Sequence, residues 1–192
     1  KDGVVKTEVF KRPIFNKIYK DLLSLKQIIS ITGPRRVGKT PLLKQIIQSL
    51  INDGHAKPNQ IIYFSFDDPL LSAPQMREHF FDEMIKWADI TRKSETVYFF
   101  LDEVQRFDRW ELYLKKYYDL AFPVKFVVSG SASSPIFRKS RESLLGRIKD
   151  IADFVLLSVC ASIDAKLQKG WSDVFWLTCV PQHKRPASGC SC

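Results

Sequence analysis

Gly33-Pro34-Arg35-Arg36-Val37-Gly38-Lys39-Thr40 satisfies the pattern G-x-x-x-x-G-K-[ST] at each fixed position. That spacing of residue types suits one chemistry, the cradling of a phosphate chain. Glycine lets the backbone bend closely around phosphate oxygens, so that successive N–H groups point at the anion. A helix beginning at the end of the motif would add the positive end of its dipole. Lys39 would then reach the β- and γ-phosphates of a nucleotide, and the Thr40 hydroxyl would bind Mg²⁺. Pro34, Arg35, Arg36 and Val37 would lend their backbone to the loop, with the two arginine side chains left to solvent, and Pro41 follows directly.

Two acids close a later apolar run, Val97-Tyr98-Phe99-Phe100-Leu101-Asp102-Glu103. In a phosphate-loop protein such a strand would lie beside the first and aim its last Asp at the metal. Asp102 would hold Mg²⁺ through water, and Glu103 would polarise an attacking water as general base. Ser129, at the end of a further apolar run, would lie between the loop and the acids and sense the γ-phosphate. Ordinary turn chemistry explains Ser129-Gly130-Ser131 equally well. Asp67 and Asp68 fit a turn and helix cap better than a metal site. Arg147 stands in a basic stretch that includes Arg138, Lys139, Arg141 and Lys149. It would stabilise charge on a transferring γ-phosphate, in cis or from a neighbouring subunit, or else serve as a surface residue.

Placing these groups requires strands that end where the chemistry begins. Ile28-Ile29-Ser30-Ile31-Thr32 is a β-branched run ending at Gly33, and the apolar residues Leu42, Leu43, Ile46, Ile47 and Leu50 mark one face of a helix stopped by Asn52-Asp53-Gly54. Further strands are predicted over residues 61–66, 97–101, 124–128 and 151–157. Helices are predicted over residues 76–90 and 108–120, and before Gln27, where Ile14, Phe15, Ile18, Leu22 and Leu25 recur at helical spacing. Strands apolar on both faces and alternating with helices predict an α/β fold, a parallel sheet of about five strands flanked by helices.

The 192 residues are 45% hydrophobic and 27% charged, which suits one globular domain and excludes disordered and collagen-like chains. No apolar run approaches the roughly 18 residues of a membrane span, and Lys1-Asp2-Gly3 begins no signal-peptide core. The chain opens without Met, as a fragment or processed product would. Cys160, Cys179, Cys190 and Cys192 all lie near the end, whereas a secreted disulfide scaffold would spread its cysteines. A cytoplasmic protein without a membrane partner is expected. Of the net charge of +9, residues 1–50 carry +8. A basic N-terminal third suits nucleic acid, phosphate or acidic lipid, or simply a solvated surface.

Taken in order, GPRRVGKT, Phe64-Ser65-Phe66-Asp67-Asp68-Pro69, Leu101-Asp102-Glu103-Val104-Gln105 with Trp110, Val128-Ser129-Gly130-Ser131 and Leu144-Leu145-Gly146-Arg147 form a specific combination. Over about residues 8–152 the chain resembles the AAA-like archaeal and bacterial ATPases that usually carry an additional C-terminal domain. The resemblance implies an additional-strand P-loop NTPase fold, in which the Ser-bearing strand separates the acid-bearing strand from the phosphate-loop strand. It implies ATP and Mg²⁺ as cofactors. A nuclease-like C-terminal domain and roles near DNA are associated with the family, which leaves DNA or another protein open as a partner.

Two departures stand out. Pro41 replaces the family's Thr or Ser, and so removes an N–H that can bond the α-phosphate. It also disfavours the helical conformation of Thr40, although a first-turn proline leaves a helix intact. After Asp153 the pattern gives way to Val155-Leu156-Leu157-Ser158-Val159-Cys160, as a frameshift, misplaced gene end or truncation would produce. The chain thus divides into a P-loop ATPase core, residues 1–157, and a Cys-containing tail, residues 158–192, that is not expected to form a domain. Cys179, His183, Cys190 and Cys192 offer four ligands of suitable type but match no zinc spacing. The expected function is a slow Mg²⁺-dependent ATPase whose nucleotide state drives a conformational switch. The alternative is a non-hydrolysing, nucleotide-dependent DNA-binding or regulatory module.

Overall fold

A computed structural model describes residues 13–68, 74–91, 95–131, 142–152 and 175–176. The apolar runs become parallel strands: β1 (Ile28–Gly33), β2 (Ile61–Ser65), β3 (Val97–Asp102), β4 (Val124–Ser131) and β5 (Ile148–Ala152). A two-residue strand, β6 (Phe175–Trp176), joins the outer edge of β2. The amphipathic stretches become α1 (Pro13–Ser24), α2 (Lys39–Asn52), α3 (Pro74–Thr91) and α4 (Trp110–Asp119). The sheet order is β5-β1-β4-β3-β2-β6.

Chain direction decides which helix covers which face. From β1 the chain crosses to β2 at the far side of the sheet, then steps back through β3 to β4. Right-handed crossovers made in opposite directions put their helices on opposite faces. Accordingly Phe15, Ile18 and Leu22 of α1 and Leu42, Leu43, Ile46, Ile47 and Leu50 of α2 pack on Ile29, Ile31, Ile61, Phe100 and Val127. On the other face Phe81, Met84 and Ile85 of α3 and Trp110 and Leu114 of α4 pack on Ile62, Phe64, Phe99, Leu101, Phe126 and Val128. Alternation along each strand thus feeds two cores from one run of sequence, which is why the runs are continuously apolar. Lys125 ties α1 to the sheet by donating to the carbonyls of Leu22 (2.6 Å), Leu25 (3.2 Å) and Leu23 (3.4 Å) at the helix's C-terminal end.

Two sequence expectations change. The acid-bearing β3 does not adjoin β1; β4 lies between them, in the arrangement that the family resemblance implies. The fifth strand begins at Ile148 and not Ile151, because its register on β1 pairs Ile28 with Ile148 directly after the Gly146 turn. With Lys149 and Asp150 exposed, this edge strand does not read as an apolar run. The five expected parallel strands are all present, and the two-residue β6 from the tail extends the sheet to six. Strand residues 153–157 of the expected fifth strand, and Cys160, Cys179, His183, Cys190 and Cys192, lie outside the described residues.

Candidate functional site

All parallel strands run the same way, so Gly33, Asp102 and Ser131 end on one edge of the sheet. Open α/β sheets bind ligands at that edge. Between Gly33 and α2 the loop exposes Pro34, Arg35 and Arg36 and buries Val37. Two residues turn it with positive φ, Arg36 at 62° and Gly38 at 84°. A left-handed Gly38 is what permits α2 to start immediately afterwards with Lys39. The first intrahelical bond runs from the Leu42 N–H to the Gly38 carbonyl at 3.2 Å. The first-turn amides ahead of it face the loop, and Pro41 removes one of them without breaking the helix.

Lys39 is buried, with 4% exposure. Its Nζ donates to the carbonyls of Pro34 (2.9 Å) and Gly33 (3.3 Å), so the ammonium lies across the mouth of the loop on the loop's own oxygens. Thr40 sits one residue further and its hydroxyl donates to Asp102 Oδ2 at 2.5 Å. That bond joins two motifs 62 residues apart in sequence.

Asp102 is 2% exposed, a carboxylate at the end of a strand otherwise apolar. A buried carboxylate must be hydrogen-bonded, and this one is held from several sides. Oδ2 accepts from Thr40 and from the Tyr63 hydroxyl at 3.1 Å. Oδ1 accepts from the Ser129 hydroxyl and from the Glu103 N–H at 3.1 Å. Ser129, fully buried, is therefore turned to the acid, and its oxygen also lies 3.5 Å from the Glu103 nitrogen. Glu103 takes φ 51°, an uncommon conformation for a non-glycine residue. Its carboxylate accepts a bond from the Gln105 side-chain amide. Asp67 forms an ion pair with Arg106 at 2.8 Å and is not drawn to Asp102.

Arg147 is placed elsewhere. Its carbonyl accepts from the Ile28 N–H at the beginning of β1, so it lies at the opposite end of that strand from the phosphate loop. At about 3.3 Å per residue, β1 separates the two by well over 10 Å. The guanidinium forms a two-pronged pair with Asp119, Nε to Oδ1 at 2.7 Å and NH2 to Oδ2 at 3.2 Å. That pairing holds the Asp119 carboxyl below its ordinary range. The expectation that Arg147 serves this chain's own γ-phosphate is thereby corrected. Arg138, Lys139 and Arg141 lie outside the described residues.

Sequence reasoning missed Tyr63 and Gln105. For Tyr63 a signal existed: in Ile61-Ile62-Tyr63-Phe64-Ser65 it shares a face with Ser65, at the site end of an otherwise apolar strand. The Gln105 contact depends on a turn whose shape the sequence does not give. As for a metal, Thr40 and Asp102 offer hard oxygen donors in contact, the donor type Mg²⁺ selects. Among the described residues there is no cluster of three or more His, Cys, Asp or Glu.

A phosphate loop at the end of β1, an acid at the end of β3 and a strand between them define a P-loop nucleotide-binding protein of the additional-strand type. Residues 25–159 match the family model of the AAA domain. The chain belongs to that family. The match reaches past residue 153, where the sequence pattern was expected to break off, and starts later than residue 8. Two uncharacterized proteins of Methanocaldococcus jannaschii are similar. MJ1544 is 29% identical over 137 residues, 71% of this chain and 28% of its own length. MJ1637 is 30% identical over 111 residues, 56% of this chain and 22% of its own. The chain thus spans about a quarter of the length of the curated relatives it matches. Among solved structures, the Pif1 helicase from Candida albicans superposes with a TM-score of 0.52 at 14% identity, over 77% of this chain and 40% of that one, a likeness of fold. Among the described residues no helix is long and apolar enough to cross a membrane.

Proposed function

We propose that this AAA-type nucleotide-binding domain is a slow Mg²⁺-dependent ATPase whose nucleotide state switches the position of a neighbouring segment or domain. The observation that carries the reading is the 2.5 Å bond between Thr40 and Asp102, because it sets a metal-type hydroxyl and a metal-type carboxylate side by side beneath a phosphate loop. Lys39 is the loop's own cation. On binding, its ammonium exchanges the Gly33 and Pro34 carbonyls for phosphate oxygens, a charge-assisted replacement for neutral partners. Mg²⁺, held by Thr40 and through water by Asp102, would neutralise charge on the phosphates.

Glu103 is the proton acceptor. A water oxygen bonds to the γ-phosphorus as the bridging bond to ADP breaks, and the water's proton passes to the Glu103 carboxylate. The Gln105 amide bonds one oxygen of Glu103 and so orients the carboxylate whose other oxygen would take the proton. That bond ties the proton acceptor to the turn that follows β3, whose movement would carry the nucleotide state to a neighbouring segment.

Calorimetric titration with ATP, with and without Mg²⁺, tests the reading, with Lys39→Ala as the control that loses affinity. Phosphate release by Glu103→Gln should then fall by about 10²–10⁴-fold with binding retained. Release unchanged by that substitution would remove Glu103 as the base, whereas ATP binding with no phosphate release by the wild type would leave the alternative, a non-hydrolysing nucleotide-dependent DNA-binding or regulatory module, a reading that Pro41 favours by thinning the loop's donors.

A further inference from the structure

Tyr63 is a buried tyrosine, 5% exposed, on a strand whose neighbours are apolar. Packing alone is served by phenylalanine, as at Phe100, the register partner of Tyr63 on β3 in the same core. A phenol in such a place needs a partner for its hydroxyl. Register supplies one. Ser65 pairs with Asp102 and Tyr63 with Phe100, so Asp102 is the diagonal neighbour of Tyr63 on the same face of the sheet. Diagonal neighbours stand about 7–8 Å apart at Cα, within reach of an aromatic side chain. The phenol spans that gap and donates to Asp102 Oδ2 at 3.1 Å.

The other donors to this carboxylate come from β4, from α2 and from the backbone of Glu103. Thr40 is the donor with a second task, since its hydroxyl is also the metal-type ligand of the loop. When Thr40 turns to that task, Oδ2 keeps Tyr63 as its remaining side-chain donor. The donors that stay, Ser129 and the Glu103 N–H, both hold Oδ1, so without the phenol the carboxylate can pivot about that oxygen and Oδ2 can follow Thr40.

We propose that Tyr63 is a positioning residue for metal-dependent nucleotide binding: its hydroxyl fixes the Asp102 carboxylate from the β2 side so that Asp102 and Thr40 serve one cation together. The proposal rests on the Mg²⁺-dependent reading of the site given above. It assigns to Tyr63 a share in metal coupling and none in holding the nucleotide's phosphates, which belong to the loop.

The test is calorimetric titration of ATP, with and without Mg²⁺, into the wild-type chain, Tyr63→Phe and Tyr98→Phe. Tyr98 is the matched control, a buried tyrosine on the neighbouring strand and the same face. Its burial pushes the phenol pKa up. In Tyr63→Phe the enhancement of affinity by Mg²⁺ should fall about tenfold, the scale of one lost hydrogen bond to a charged group, while affinity without Mg²⁺ stays within twofold. Tyr98→Phe should keep the full enhancement. Thermal unfolding of each variant establishes that it is folded at the titration temperature. Three results overturn the proposal: an intact enhancement in Tyr63→Phe, an equal loss with and without Mg²⁺, or the same loss in Tyr98→Phe. A wild-type chain that binds ATP with no Mg²⁺ enhancement would instead overturn the reading of the site on which the proposal rests.

Discussion

The two faces of the sheet are made from the same strands yet have opposite chemistry. On the face that α1 and α2 cover, the site end of the strands carries Tyr63, Asp102, Ser129 and Ser131, all buried. Three of the four are joined to one another by hydrogen bonds through Asp102. On the other face, the strands carry Phe64, Phe99, Leu101 and Val128 up to the same edge, and ring meets ring. Phe66 stacks on Phe107 at 5.0 Å, and Phe81 lies 5.5 Å from both Phe107 and Tyr113. Alternation lets one residue in two be chosen for chemistry while its neighbours hold the fold. The aromatic face also grips the turn that follows Glu103, since Val104 and Phe107 belong to its core. The site is thus polar on one side of β3 and anchored on the other.

The sharpest way to break the comparison is to injure the aromatic face and ask what the site notices. Phe81 is fully buried, with rings of Phe99, Phe107, Tyr113 and Tyr117 around it. Phe81→Ala should cost about 3–5 kcal/mol of stability, a large part of what a domain has. Denaturant unfolding measures that loss. The molecules that remain folded should bind ATP as tightly as the wild type. A parallel loss of affinity would mean that the aromatic face sets the geometry of the loop, and that the two faces are not separable.

A smaller effect is expected on the polar side. Pro41 occupies the third position of α2, where its missing N–H leaves no gap in the helical ladder. Thr40 is helical in spite of the proline that follows. What is lost is therefore a donor toward an anion, worth about 1.5–3 kcal/mol when the acceptor is charged. Pro41→Thr should tighten ATP binding by about tenfold or more, read by calorimetry, with little change in melting temperature. Equal affinities would show that the remaining loop amides already satisfy the phosphates.

How far this contrast was legible in the sequence differs between its halves. The aromatic face was legible because Val97-Tyr98-Phe99-Phe100-Leu101 is too apolar for a half-exposed strand. The loop was legible because its residue spacing is a local property. Thr40 meets Asp102, and Lys39 lies on the loop's own carbonyls. Order within the sheet was not local: residue types alone set β3 beside β1, and the family resemblance was needed to put β4 between them. The partner of Tyr63 was hidden for the same reason, since its bond crosses from β2 to β3 on a diagonal that depends on register. Arg147 was misplaced because arginine beside a Gly turn looks the same at either end of a sheet. The strand it precedes decides the matter, and β5 enters the sheet at the end away from the loop.

That last point gives the smallest and most discriminating prediction. Arg147 and Asp119 are paired at the surface, with side-chain exposures of 31% and 43%, so solvent screens the interaction and its share of stability is slight. If the pair is structural, Arg147→Ala should leave phosphate release by the chain unchanged and lower the melting temperature a little at neutral pH. The pH dependence follows from the carboxylate. Hydrogen bonding to Arg147 lowers the Asp119 pKa in the folded state, so the contribution is present above the unfolded value and is lost as pH falls through the folded one. An unperturbed Asp titrates near 3.9, so the small difference between wild type and Arg147→Ala should hold from pH 7 down to about 5 and shrink as pH falls below that value. A variant that instead loses phosphate release, with its melting temperature unmoved, would return Arg147 to a phosphate. Because the arginine stands at the far end of β1 from its own loop, that phosphate would have to be bound by another copy of the chain.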